Sequence, residues 1–138
     1  MPTGVEAKIA DLLLTHLGAL TFTPAIPVSY PGVPFTPPEG TYLEATFIPN
    51  TNVNRFVGHD STTEHRGILQ VSVYAPASVG LIPPLGIAGK VVEHFERGAV
   101  IVDGTLRVRI SGRPSVAAPI QEPDRVHIPV SVNWRAFA

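Results

Sequence analysis

At 138 residues, with 44% hydrophobic and 15% charged residues, the chain is one domain with room for one core. Its surface leans apolar, as in a protein partly covered by a partner. Ten Lys and Arg against eleven Asp and Glu leave a net charge of -1, which removes the electrostatic case for wrapping nucleic acid. The absence of cysteine excludes disulfides and thiolate metal sites and fits a reducing compartment. No basic segment followed by an apolar run opens the chain, so no signal peptide is expected, and no apolar run approaches the roughly 20 residues of a membrane span. The 15 prolines cluster in connections, which marks loops held in fixed paths.

Thr3-Gly4-Val5-Glu6 has the pattern of a capping box, and a helix is expected to run from there to about Leu17. Val5, Ile9, Leu12, Leu13 and Leu17 form its apolar stripe, and Gly18 is placed to stop it. His16 sits beside that stripe at the helix end, where the dipole favours positive charge. A lone histidine there is a weak candidate for metal or catalysis.

Ile26 to Tyr30 reads as a short strand that Pro27 confines to an edge. Pro31 to Gly40, with Pro37-Pro38, is a stiff extended connection. Tyr42 to Ile48 alternates, with Leu43, Ala45 and Phe47 opposed to Tyr42, Glu44, Thr46 and Ile48. Asn50 to Glu64 then has almost no apolar pattern beyond Val53, Phe56 and Val57. A loop of this length inside a small domain is usually functional.

Arg66 to Pro76 is the strand around which the rest is organised, with Leu69, Val71 and Val73 apolar on one face and a mixed opposite face. It is expected in the middle of the sheet. Ala77 to Pro84 leads into a second helix ending near Phe95, with Ala88, Val91, Val92 and Phe95 on its buried stripe. Gly86 and Gly89 weaken it by roughly 1 kcal/mol each relative to alanine. Two explanations stand for them, close packing or a frayed first turn. A hairpin follows from Ala99 to Ser111 about Asp103-Gly104. Gly112 to Asp124 is a second Pro-rich loop. Arg125 to Arg135 is the last strand, with Val126, Ile128, Val130, Val132 and Trp134 on one face and His127, Ser131, Asn133 and Arg135 on the other. The order defines an α+β fold, a sheet with two helices packed on it.

Chemistry-bearing motifs are sparse. Gly86 to Val91 only superficially suggests a phosphate loop: Pro84 stands where a glycine is required, and Val91 where Ser or Thr would hold magnesium. Glu93, Glu96 and Arg97 read as a solvated helix face. His59, Asp60, Glu64 and His65 are the one cluster that could bind a divalent ion, although no fixed spacing orders them. Arg55 beside Phe56 could stack on a base, against which the net charge argues.

Two stretches carry a resemblance. Val33-Pro34-Phe35-Thr36-Pro37-Pro38-Glu39-Gly40-Thr41-Tyr42-Leu43, followed by Arg66-Gly67-Ile68-Leu69-Gln70-Val71-Ser72-Val73 and Pro76, resembles tail-terminator-like proteins of long-tailed phages and gene transfer agents. These are similar in fold to the lambda-type terminator, and the similarity covers nearly the whole chain. The resemblance implies a mainly antiparallel sheet and a non-enzymatic virion protein without a cofactor. It implies a homo-oligomeric ring, hexameric in the family, that is assembled in the host cytoplasm. That ring would cap the tail tube and join it to a head-completion or connector protein, with DNA touching it only by passage through the lumen and no membrane involved. The segments outside the monomer core, with Arg55, Phe56, His59, Asp60 and Arg113, are then the candidate interface. Phe56 is the expected apolar anchor. The alternatives are a small metal- or ligand-binding domain or enzyme using His59 to His65, and a head-completion protein of the same virion.

Overall fold

The computed structural model describes residues 4–22, 25–50, 63–104 and 106–137. The chain order is α1 (Val5–Gly18), β1 (Val28–Ser29), β2 (Tyr42–Pro49), β3 (Glu64–Pro76), a 3-10 turn (Ala77–Val79), α2 (Ile82–His94), β4 (Val100–Asp103), β5 (Leu106–Ile110), β6 (Ser115–Val116), β7 (Ile120–Gln121) and β8 (Arg125–Phe137). One mixed sheet runs β1-β2-β3-β8-β5-β4, with β6 and β7 also paired to β8. Among the described residues only β1 pairs in parallel, with β2, and it lies at an edge as Pro27 requires. The architecture is the expected α+β one, and β3 is interior.

Its axis is the antiparallel ladder of β3 with β8, in which thirteen-residue strands pair from Glu64–Phe137 to Pro76–Arg125. Strict alternation puts Leu69, Val71 and Val73 opposite Val132, Val130 and Ile128, all fully buried. Leu43 and Ala45 of β2 extend this face on one side, and Val108 and Ile110 of β5 on the other. Both helices cover it: Ile9, Leu13 and Leu17 of α1 and Ala88, Val91 and Val92 of α2, with Phe95 just beyond, join the same core. The eight residues whose strand alternation or helical spacing marks them as core (Leu69, Val71, Val73, Val92, Phe95, Val126, Ile128 and Val130) are all buried.

Four local expectations need correction. The capping box does not start α1: Thr3 lies outside the described residues, and the N-cap is Gly4, at φ 91°, which has no side chain to close the turn. Gly86 and Gly89 do not serve close packing, since a Cβ on either would meet open space. Glu64 and His65 begin β3 rather than closing the preceding loop. The Gly112 to Asp124 segment is not free loop but a strap along the sheet: β6 and β7 run along β8, and Ala117 and Glu122 donate to the carbonyls of Pro129 and Arg125 at 2.9 and 2.8 Å.

Pro129 explains how a proline sits inside a long interior strand. Its carbonyl accepts from Ala117, so it faces away from β3. A residue's N–H and C=O point to the same side of a strand, so the missing donor falls on the strap side. The β3–β8 ladder loses nothing, and the interruption lies between β6 and β7. At the other end of the ladder, Gly67 lies under the Trp134 indole, which stacks on Phe47 at 5.4 Å and 7°.

Candidate functional site

The functional residues expected from sequence fall in three places. Arg55, Phe56, His59 and Asp60 lie outside the described residues. Arg113 is exposed where the strap leaves β5, its Nη1 donating to the Pro114 carbonyl at 3.5 Å. Glu64 and His65 are buried on opposite faces of β3, because successive strand residues point opposite ways. Those two therefore cannot converge on one ion, while His59 and Asp60, the other members of that cluster, lie outside the described residues. His65 Nδ1 instead lies 3.7 Å from Glu6 Oε1 of α1, on the helix side. Among the described residues no group of three or more His, Asp or Glu could hold a metal ion.

His16 has a structural use. Its ring stacks on His94 at 4.1 Å, its Nε2 donates to the His94 carbonyl at 2.9 Å, and His94 Nε2 donates to the His16 carbonyl in return. Each imidazole thus caps the carbonyl end of the other helix, joining α1 to α2.

The sheet face turned away from the helices holds what sequence reading missed. At one end Val100, Arg109, Arg135 and Arg66 lie in one row across β4, β5, β8 and β3. Val102, Arg107 and Phe137 come next on the same face. Arg107, Arg109 and Arg135 with Val100, Ala136 and Phe137 line a cleft of about 330 Å³. None of the four guanidiniums makes an ion pair among the described residues. The available signal was parity: each arginine sits at a polar-face position of its strand, but strand order and register are needed to bring them together.

At the other end of this face, Tyr42, Tyr74 and His127 are register partners across β2, β3 and β8 and stack ring on ring at 4.8 and 4.4 Å. Phe35 extends the row at 5.4 Å. Arg125 donates to the Tyr42 hydroxyl at 2.9 Å and lies 3.8 Å from Asp124. Burial, then the nearby Glu44, Tyr42 and Glu122, push the Tyr74 phenol above its ordinary pKa, with Arg125 opposing.

A two-helix, single-sheet domain with exposed charged and apolar side chains on the face turned away from its helices belongs to the class of small α+β domains. The comparisons make this specific. The family model described as phage tail terminator protein matches residues 8–134, nearly the whole chain. The chain belongs to that family, and its role is a structural one in the phage tail, in association with virion components. One solved structure is similar at 28% identity and a TM-score of 0.74, over 91% of this chain and 94% of the other. No curated protein matches.

Proposed function

We propose that this protein is the ring-forming terminator that caps the tail tube and joins it to the head. The observation that carries the reading is the family match across residues 8–134. The fold supports it: both helices and the core face serve the monomer, leaving the other sheet face, the β4 edge and the 112–124 strap for neighbours. A ring needs a heterologous contact that closes, so two different surfaces of one subunit must be complementary. Arg55, Phe56, His59, Asp60 and Arg113 are proposed to contribute to contacts with neighbouring subunits or the tube.

The test is assembly without the protein. Tails should then vary in length and fail to join heads, and the purified protein should bind isolated tails rather than heads. Tails of normal length joined to heads in its absence would refute the reading, and binding to heads alone would make it a head-completion protein. Phe56→Ala and Arg113→Glu, in folded protein, should each impair joining; normal tails in both would remove these residues from the interface.

A further inference from the structure

Among the described residues, the sheet face turned away from the helices is electrically polar along its length. One end carries Arg66, Arg107, Arg109 and Arg135, with Glu64 the one carboxylate of the same strand face, itself only 2% exposed. The other end carries Glu39, Glu44, Glu122 and Asp124 around the single Arg125. Among the described residues the two ends thus have inverse composition, four cations with one anion against four anions with one cation. On β8 they are separated by the span from Arg135 to Arg125, roughly 33 Å at the rise of an extended strand. Apart from Arg125 with Asp124 at the acidic end, the described residues show no ion pair of Arg66, Arg107, Arg109 or Arg135 or of the acidic-end carboxylates.

We infer that the arginine end of this face docks the acidic end of a second copy of this chain, so that subunits associate head to tail. Like charges gathered at one end repel each other, and in a head-to-tail arrangement a complementary neighbour at each end relieves that repulsion. A copy of the chain is the occupant whose complementarity is on the molecule itself. Phosphate in a duplex would match the guanidiniums but not what lies between them: Phe137 is 43% exposed and Val102 49%, beside the exposed Val100. Apolar side chains among guanidiniums suit a protein surface, where aromatics and Arg anchor contacts. The acidic end offers matching apolar area in Ile120, 49% exposed and in register with His127. Among the described residues no strand pairs with the outer edge of β4, which borders the arginine cleft and leaves room for an approaching chain.

This inference rests on the ring reading and names its subunit contact, so the two are tested separately. Two charge-reversed proteins are needed, one with Arg109→Glu and Arg135→Glu, the other with Glu122→Lys and Asp124→Lys. Self-association is followed by sedimentation velocity over a concentration series at low and high salt. The wild type should associate, and salt should weaken it, as charged contacts are screened within about 8–10 Å at ordinary ionic strength. Each variant alone should associate at least about tenfold more weakly, the scale of a lost pair of interfacial charge contacts. An equimolar mixture should recover assembly, because the two altered ends complement each other while the unaltered ends still fit. Trp134 emission reports whether each variant is folded, and the neutral Arg109→Gln with Arg135→Gln protein, expected to be weakened but not rescued by the mixture, serves should reversal unfold the chain. A wild type that stays monomeric, variants that associate like the wild type, or a mixture without rescue would each overturn the inference. Duplex binding lost in the Arg109→Glu, Arg135→Glu protein with self-association unchanged would overturn it in favour of nucleic acid. Rings persisting in both variants would refute this contact and leave the ring reading standing, whereas normal tails made without the protein would refute the ring reading itself.

Discussion

Replacing Gly67 with alanine should destabilise the protein even though the change adds one methyl group. The Cβ would meet the Ile48 carbonyl oxygen, Trp134 Cζ2 at 2.7 Å and Pro49 Cα at 3.0 Å. Two of these are backbone atoms of the paired strand β2. The third belongs to an indole that is 1% exposed and stacked on Phe47, so no neighbour is a flexible chain end. Overpacking of this kind costs about 1–3 kcal/mol, while the stiffer unfolded chain returns roughly 0.4–1 kcal/mol. The net loss is roughly 1–2 kcal/mol, or a fall in Tm on the order of 4–8 °C for a chain of this length. Gly86→Ala and Gly89→Ala are the controls: in α2 a Cβ meets open space, and the same substitution should stabilise by roughly 0.5–1 kcal/mol. Thermal and urea unfolding followed by the fluorescence of Trp134, the one tryptophan, measures all three. A Gly67→Ala protein as stable as the wild type, or a loss at Gly86 equal to that at Gly67, would refute the close-approach argument.

Further outcomes are expected. Val71→Asp places a carboxylate at a fully buried position in the middle of the sheet and should abolish cooperative unfolding; a soluble, cooperatively folding variant would contradict the central placement of β3. Removing either ring of the reciprocal histidine pair, as His16→Ala or His94→Ala, should cost about 1–2 kcal/mol. The double variant should cost less than the sum, and strict additivity in the cycle would show that the two bonds are independent. Tyr74 is raised above 10.0, so its proton is held more tightly in the folded state. Its contribution to stability is complete below pH 10.0 and is lost as pH rises through the folded value. Spectrophotometric titration should show a late-ionising tyrosine that Tyr74→Phe removes, and an unchanged curve in that variant would contradict the desolvated site.

The helices and the longer strands, and which residues of each face the core, were legible from periodicity alone, because alternation and helical spacing are local properties of a single segment. The two-residue β6 and β7, by contrast, exist only by pairing with β8. Leu69, Val71 and Val73 or Ala88, Val91 and Val92 need no knowledge of their neighbours to be assigned to the interior. The resemblance in the 33–43 and 66–76 stretches likewise led to the family before any contact was known. What needed the tertiary structure was everything set by pairing between distant segments. Pro129 reads as a strand breaker until the strap is seen to take the side where its donor is missing. Glu64 and His65 read as one cluster until β3 begins two residues earlier than its apolar pattern and turns them to opposite faces. His16 and His94 are 78 positions apart, and Arg66, Arg109 and Arg135 are on three strands whose order no local pattern encodes. Register is a relation between strands, chosen by the packing of the whole core, and that choice alone gathers the arginines at one end of the open face and the carboxylates at the other.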